Sequence, residues 1–338
     1  MDRVCEFQEG SLAAVSYCSP TVPPLLDCEF DMLIVVSSWE ERVRSVLSSP
    51  NLRALASVLV LYDEVDPDGL RLLNDGMLEL FLRRRSKFTT ILRRSAVDLA
   101  GTWNGLLTSV VTCCKDLGRP IRILLDATTC QRYHILALIA KGFELGLVRH
   151  LSLFYASGEY PDKSEEMELV FGDGTWRSIP VPGLEGEYGP GRRLGYYVSV
   201  GFEGYKTLRA VARADPDRVV ILFPDPGTKP GYAIRTEEAN ARLIEEYAVD
   251  PEAIVRAQAD DAISAWQAMA TANLENTREE NMVFLLNGTK PHSIAMGLRA
   301  IALRNPAVLY SVPEAYHVVD IRATGTFWRY DIQSLTIP

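Results

Sequence analysis

Residues 282–291 read Met282-Val283-Phe284-Leu285-Leu286-Asn287-Gly288-Thr289-Lys290-Pro291, an apolar run that ends in a small polar turn. A helical pattern of apolar residues follows over 292–301. A buried strand that turns directly into a helix is the repeating element of a doubly wound parallel sheet. The free N–H groups and positive dipole end of such a helix favour anions. Asn287, Gly288, Thr289 and Lys290 are therefore predicted to bind a phosphate, with the lysine as a point charge.

The same alternation of short apolar runs and helical patterns extends along the chain. Candidate strands are Leu33–Ser37, Ser57–Tyr62, Arg122–Asp126, His150–Tyr155, Tyr196–Val200, Arg218–Phe223, Met282–Leu286 and Ala307–Ser311. Candidate helices are Glu40–Leu47, Leu70–Arg84, Val97–Lys115, Arg132–Leu145, Tyr205–Ala214, Thr236–Tyr247, Asp261–Asn273 and Pro291–Leu303. Several strands are apolar on both faces, which is typical of strands covered by helices on both sides. The sequence predicts an α/β fold of tandem Rossmann-like, mostly parallel units.

A stretch rich in glycine and proline divides the predicted strands into two sets. It predicts an N-terminal Rossmann-like domain over 1–157, a β-hairpin and loop connector over 158–193, and a C-terminal Rossmann-like domain over 194–338. The hairpin turns at Gly172-Asp173-Gly174. In the tail, Phe327-Trp328-Arg329-Tyr330 is expected to form an antiparallel edge strand.

Composition narrows the classes of function. The 338 residues include 44 acidic and 35 basic ones, a net charge of −9, which argues against non-specific binding to duplex DNA. Six scattered cysteines show no metal-binding spacing and suit a reduced cytoplasm, so neither a metal nor a cofactor is predicted. Neither a signal peptide nor a membrane span is expected. Because no catalytic motif stands out, catalytic residues stay unassigned.

Other polar and glycine residues follow the predicted strands, where ligands of doubly wound sheets bind. They could contact a phosphate, a ribose hydroxyl or a base, and a tyrosine could stack on a base. These further candidate ligand-binding residues are Ser37, Ser38, Asp126, Thr128, Tyr155, Gly201, Glu203 and Gly204.

Structural roles explain several of these residues equally well. Ser38 with Glu41 fits a helix capping box. Asp126 could tie down the loop that follows it. The glycines after Val200 could serve close packing of a helix on a strand.

One basic cluster stands out in this acidic chain. It could contact a nucleic acid, a nucleotide or an acidic partner subunit, or it could be a solvated helix end whose cations complement the helix dipole. The cluster comprises Arg83, Arg84, Arg85, Lys87, Arg93 and Arg94.

The Asn287-Gly288-Thr289-Lys290 turn between strand and helix resembles that of CRISPR-associated Rossmann-fold (CARF) ligand-sensing proteins of bacterial defence systems. The resemblance implies that Gly288, Thr289 and Lys290 contact the phosphate of a nucleotide and that Ser37 or Ser38 lines the first-strand loop. Because the chain has no recognisable effector module, it also implies a separate effector protein.

The expected function is a nucleotide-sensing or regulatory subunit of an antiphage defence system, acting as a homo- or hetero-oligomer. One alternative is a Rossmann-fold enzyme on a nucleotide or NAD-like substrate, with Asp126, Glu203 or Asp225 as acid or base. Another is a structural subunit that docks a nuclease or nucleic acid through the basic cluster.

Overall fold

The computed structural model describes residues 2–21, 29–49, 51–64, 66, 69–160, 176–248, 250–275, 279–314 and 321–336. The chain divides into two compact units. The first unit comprises Met1–Val4, Ala13–Trp176 and Pro313–Pro338, and the second comprises Cys5–Leu12 and Arg177–Val312. Both are α/β, so the predicted fold class of tandem Rossmann-like units is confirmed.

Strands and helices alternate through the parallel part of each unit. The strands are β1 (Asp2–Glu9), β2 (Leu12–Ser19), β3 (Glu29–Val36), β4 (Arg53–Tyr62), β5 (Ser86–Arg94), β6 (Ile121–Asp126), β7 (Val148–Glu159), β8 (Arg177–Pro180), β9 (Arg193–Ser199), β10 (Arg218–Pro224), β11 (Ile254–Ala257), β12 (Glu280–Leu286), β13 (Ala307–Val312) and β14 (Arg322–Ser334). The helices are α1 (Leu70–Arg85), α2 (Leu99–Leu117), α3 (Arg132–Glu144), α4 (Gly204–Ala214), α5 (Tyr232–Tyr247), α6 (Ala262–Ala272) and α7 (Lys290–Leu303). Two 3₁₀ helices cover Glu41–Ser48 and Pro251–Ala253. All eight predicted strands form.

The first sheet has the order β1-β2-β14-β7-β6-β3-β4-β5. From β7 to β5 the neighbouring strands are parallel. The parallel part of the sheet starts at β3, runs outward through β4 to β5, and then continues on the other side of β3 with β6. This reversal creates a topological switch point between β3 and β6, the place where doubly wound sheets bind ligands.

The second sheet repeats this arrangement, in the order β11-β10-β9-β12-β13-β8. Its strands from β11 to β13 are parallel, and β8 joins antiparallel to β13. The chain runs outward from β9 through β10 to β11 and returns beside β9 with β12. The switch point of this sheet therefore lies between β9 and β12.

Strands buried on both faces hold each unit together. In the first unit the β3 residues Met32–Val36 are all buried, and Leu33 and Val35 pack with Leu78 and Phe81 of α1. In the second unit Val198 and Ile221 pack with Leu208 of α4 and Leu243 of α5. Burial on both faces explains why these strands read as continuous apolar runs.

The division of the chain differs from the predicted one at its C-terminal end. Residues Pro313–Pro338 group with the first unit rather than with the second, because β14 pairs antiparallel with β7. The predicted antiparallel strand thus forms, but it lies between β7 and β2 and not at an edge. The predicted hairpin at 172–174 lies outside the described residues. None of the helices in the described ranges is both long enough and apolar enough to span a lipid bilayer.

Candidate functional site

The predicted ligand-binding residues fall into two groups, one in each unit. Each group lies where the parallel strands of its sheet reach their carboxyl ends. In the first unit the group comprises Ser37, Ser38, Asp126, Thr128 and Tyr155, and in the second Gly201, Glu203, Gly204, Asn287, Gly288, Thr289 and Lys290.

In the first unit, Ser37 connects the end of β3 to helix α1. Its backbone N–H donates to the carbonyl oxygen of Val60 on β4, 2.9 Å away. Its hydroxyl donates to Oδ1 of Asp75 at 2.5 Å, and both side chains are buried. Ser37 is therefore held in place by two neighbouring elements, and it positions the Asp75 carboxylate over the ends of β3 and β4.

Arg71 lies one turn before Asp75 in α1 and is 6% exposed. Among the described residues, its Nε and Nη1 atoms are buried and have no hydrogen-bond partner. A buried guanidinium normally satisfies its donors, because leaving them unpaired is costly. The planar fork of N–H groups matches the oxygens of a phosphate or carboxylate. Arg71 therefore offers a preformed place for an anion.

The backbone of α1 adds to this positive region. The helix begins after Gly69, which is in the left-handed conformation at φ 67° and has no side chain to cap the first turn. One donor of the first turn is already used, because the Asp66 carboxylate accepts the Leu72 N–H at 3.0 Å. The helix dipole adds positive potential at the same end.

Burial raises the pKa of the Asp75 carboxyl, an effect only partly offset by the Ser37 hydroxyl and the charges of Arg71 and Arg93. The folded protein therefore holds this proton more tightly than the unfolded chain does. By linkage, the carboxyl favours the folded state below its raised pKa, and this contribution is lost as the pH rises through that pKa.

We expect Asp75→Asn to gain stability relative to the wild type as the pH rises from about 4 toward neutrality, since an amide does not ionise. The amide oxygen can still accept the Ser37 hydroxyl. Urea unfolding at a series of pH values measures the difference in free energy between the two proteins. A difference that stays constant over this range would contradict a raised Asp75 pKa.

Asp126 and Thr128 are buried and engaged by their own loop. Oδ1 of Asp126 accepts the Thr128 N–H at 2.9 Å, and the Thr128 hydroxyl accepts the Ala156 N–H at 3.1 Å. Across the switch point, the Thr129 hydroxyl donates to the Val36 carbonyl oxygen at 2.6 Å. Asp126 thus has the structural role that the sequence also allowed, because its carboxylate orders the loop after β6.

Tyr155 and Ser38 also have protein partners. The guanidinium of Arg42 lies 5.9 Å from the centre of the buried Tyr155 ring. The Ser38 hydroxyl accepts the Glu40 N–H at 3.4 Å. The predicted capping box is wrong, because the 3₁₀ helix starts at Glu41 with Glu40 as its N-cap and no side-chain capping bond.

In the second unit, Gly288 and Ser199 close the switch point. The Gly288 N–H donates to the Ser199 hydroxyl at 3.0 Å. A Cβ added to Gly288 would lie 2.8 Å from both the Ser199 Cβ and the Val200 carbonyl oxygen. The loop after β12 thus needs a glycine to pack on β9, independently of any ligand. Asn287 is buried and bonds to Thr207 and Ser311 through its amide.

At the amino end of α7, one of the free backbone N–H groups is already bound by a side chain of the protein. The Thr289 hydroxyl accepts the His292 N–H at 3.3 Å and donates to the Ala259 carbonyl oxygen at 2.7 Å. The next residue after Lys290 is a proline, which has no N–H. Two of the first three helical residues therefore offer no backbone donor to a ligand, because Pro291 has none and the His292 N–H is taken by Thr289.

Glu203 and Gly204 begin helix α4. The Glu203 carboxylate pairs with the Lys206 ammonium at 2.7 Å. A Cβ built on Gly204 would overlap the carbonyl oxygen of Ala239 in α5. Gly204 therefore permits close packing of α4 on α5. The structural alternative from the sequence was close packing of a helix on a strand, whereas the observed neighbour is a helix.

The predicted basic cluster is distributed along strand β5. Arg83, Arg84 and Arg85 end α1, and Lys87 follows at the start of the strand. Arg93 and Arg94 lie at its other end, roughly 20 Å away at about 3.3 Å per residue. The six cations therefore form two separate basic groups, one near the amino-terminal end and one at the carboxyl-terminal end of an edge strand. Arg93 is the member that acts on Asp75.

The carboxylate suggested as an alternative acid or base, Asp225, pairs with Arg256 at 3.0 Å, and both side chains are a little under half exposed. Within the described ranges, no three His, Cys, Asp or Glu side chains lie together as metal ligands would.

The comparison with protein-family models gives no match, and neither does the comparison with curated proteins. Among solved structures, the chain is similar to a functionally unknown protein, PA1789, from Pseudomonas aeruginosa PAO1. The identity is 10%, and the match covers 83% of this chain and 92% of that one with a TM-score of 0.23. At this TM-score the similarity carries no argument about function.

Sequence reasoning missed Arg71, although a signal exists. Arg71 and Asp75 occupy positions i and i+4, and Leu78 and Leu82 continue the same helical face. All four are buried. Two charged residues on the core face of a helix that follows a parallel strand are the pattern that could have identified the site.

Proposed function

We propose that this protein is a regulatory subunit that senses a nucleotide-type ligand, which binds at the carboxyl ends of β3, β4 and β5 with Arg71 as the anchor for its phosphate. The observation that carries this proposal is the buried Arg71 guanidinium, whose Nε and Nη1 lack acceptors among the described residues. A phosphate would supply acceptors to both nitrogens in the bidentate geometry that arginine favours.

The neighbouring groups support a nucleotide over a bare phosphate. Asp75 is an acceptor beside Arg71, and a carboxylate can accept a hydrogen bond from a ribose hydroxyl. An inorganic anion would face the Asp75 carboxylate without such a donor. The role as a subunit of a bacterial defence system, with a separate effector, rests on the resemblance of the Asn287–Lys290 turn alone.

The test is a thermal-shift titration with inorganic phosphate, AMP, a linear dinucleotide, a cyclic oligonucleotide and NAD. A ligand at 100 times its dissociation constant adds about 2.7 kcal/mol to the free energy of unfolding, which raises the midpoint by a few degrees. We expect a nucleotide to give this shift in the wild type, Arg71→Lys to weaken it and Arg71→Met to abolish it.

Two matched variants make the test specific. Arg84→Met removes an exposed arginine from the same helix and is expected to keep the shift. Lys290→Ala tests the turn in the second unit. A shift that is lost in Lys290→Ala but kept in Arg71→Met would contradict the Arg71 site and favour the predicted turn.

Recovery of each ligand after incubation decides between a sensor and an enzyme. We expect the bound nucleotide to be recovered intact. A consumed ligand would contradict the sensor and favour the enzyme alternative. The absence of a shift with every ligand would contradict nucleotide binding altogether.

A further inference from the structure

Strand β5 ends in two consecutive arginines, Arg93 and Arg94, whose side chains lie on opposite faces of the sheet. Arg93 is the register partner of Leu61 on β4, and paired residues of neighbouring parallel strands carry their side chains on the same face. Leu61 packs in the core cluster that contains Leu78 of α1. The Arg93 side chain therefore lies on the α1 face of the sheet, as does the buried face of α1 that carries Arg71.

The exposed Arg93 guanidinium lies near the same carboxylate as Arg71 and is open to a ligand. Burial raises the pKa of the Asp75 carboxyl, and the Ser37 hydroxyl and the charges of Arg71 and Arg93 oppose this effect. Among the described residues, the Arg93 guanidinium has no hydrogen-bond or ion-pair partner. Asp75 thus has one guanidinium group beside it that is buried and a second one that is at the surface.

Acidic side chains at this end of the sheet limit how an anion can bind. They are Asp63, Glu64, Asp66 and Asp75. Three of them already accept hydrogen bonds from the protein: Glu64 from Ser95 and Ala96, Asp66 from Leu72, and Asp75 from Ser37. With these negative charges nearby, an anion gains affinity only where it contacts a guanidinium group directly. A ligand that contacts both arginines therefore binds more tightly than one that contacts Arg71 alone.

We infer that the ligand carries two linked phosphates, one on Arg71 and the next on Arg93, so that a nucleoside diphosphate is preferred to a monophosphate. Arg71 is 6% exposed and Arg93 lies at the surface, so a chain of two phosphates that runs outward from Arg71 matches the different depths of the two groups. Each guanidinium can bind a phosphate through two parallel N–H groups. Because Arg71 is the anchor, this second contact rests on the proposed function, and Arg93 adds the selection for the number of phosphates.

The test is the ratio of the dissociation constants of AMP and ADP, measured by isothermal titration calorimetry. The buffer contains no Mg²⁺, which would compete for the diphosphate. We expect the wild type to bind ADP at least tenfold more tightly than AMP, a difference of about 1.4 kcal/mol. Arg93→Met is expected to bind both nucleotides equally, and Arg93→Lys to keep part of the preference, because lysine retains the charge without the fork of N–H groups. Effects of these substitutions on Asp75 cancel in the ratio, since both nucleotides meet the same carboxylate.

Arg94→Met is the matched control. The Arg94 guanidinium donates to the Arg93 carbonyl oxygen at 2.7 Å and lies 4.0 Å from the Asp98 carboxylate. Because its side chain lies on the other face of the sheet, this variant is expected to keep the tenfold preference for ADP.

The outcomes separate this inference from the proposed function. Equal binding of AMP and ADP to the wild type would overturn the diphosphate and leave the Arg71 site standing. A preference for ADP that persists in Arg93→Met would overturn the role of Arg93. Binding of neither nucleotide would contradict the proposed function and the diphosphate with it. The wild-type comparison needs no variant, so it decides the matter even where a variant fails to fold.

Discussion

Acidification is expected to destabilise both units strongly, through one buried histidine in each. Burial lowers the pKa of His134 to about 3 and that of His292 to about 4. Both rings are almost inaccessible, and among the described residues neither nitrogen of His134 has a hydrogen-bond partner. The unfolded chain binds these protons near pH 6.5.

The sign of the effect follows from linkage. Because the folded pKa lies below the unfolded value, each histidine favours the folded state above about pH 6.5, and this contribution is lost as the pH falls toward the folded pKa. Each adds about 1.4 kcal/mol per pH unit to the slope of the unfolding free energy against pH. At about pH 4.5 the two together remove about 5 kcal/mol, comparable to the whole stability of many domains.

Urea unfolding between about pH 7 and about pH 4.5 measures this slope. We expect His134→Phe and His292→Gln each to lower the slope of the unfolding free energy against pH by the contribution of one proton, because neither replacement titrates. The glutamine amide can still donate to the Gln258 carbonyl oxygen, which now lies 3.0 Å from His292 Nε2. If two transitions are resolved, each variant identifies the transition of its own unit. An unchanged slope in both variants would show that these histidines already bind protons in the folded state.

Gly204→Ala is expected to destabilise the second unit by about 3 kcal/mol or more, because the added Cβ would overlap a backbone oxygen of α5. A flexible side chain could move away at small cost, but the Ala239 carbonyl belongs to the helix itself. Chemical unfolding of the variant measures the loss.

Gly76→Ala is the matched control. Gly76 also lies within a helix, but a Cβ there meets nothing within 4 Å of its own chain. It is expected to gain about 0.5 to 1 kcal/mol from reduced backbone entropy in the unfolded state. Both variants are compared at the same protein concentration. Equal effects of the two substitutions would mean that the α4–α5 contact is looser than the structure indicates.

The strands of the two parallel sheets were largely predictable, because burial on both faces leaves a continuous apolar signal. Strand β5 was not, since Ser86–Arg94 carries three cations and follows α1 without a connecting loop. As an edge strand it has one unpaired side, where charged residues are tolerated and even useful. Without β5, the six cations read as one cluster, whereas the strand separates them.

Arg71 escaped prediction for a different reason. Helix α1 has two faces that could serve as the core face, and the one with Leu72, Leu73, Met77 and Leu80 is the more apolar. Periodicity alone favours burying these four residues. The structure instead buries the face of Leu78 and Leu82, and Arg71 and Asp75 are buried with them. The choice depends on packing against β3 and β4, which local sequence does not encode.

The first unit is built from separate stretches of the chain, so its sheet is completed in a fixed order during synthesis. Strands β3, β4 and β5 are complete once residue 94 has been added. Strand β14, the neighbour of β7, ends at residue 334, which is 334 − 159 = 175 residues after β7 ends. At typical translation rates the ribosome needs about 9 to 35 s for this distance.

During that interval the outer edge of β7 lacks its partner, and β2 cannot join the sheet through β14. An open strand edge is a template for pairing with other chains. The half of the sheet around Arg71 can thus form before the other half, which waits for the synthesis of β14. Premature termination shortly before β14 would therefore yield a product with an exposed edge, prone to aggregate and a natural target for chaperones.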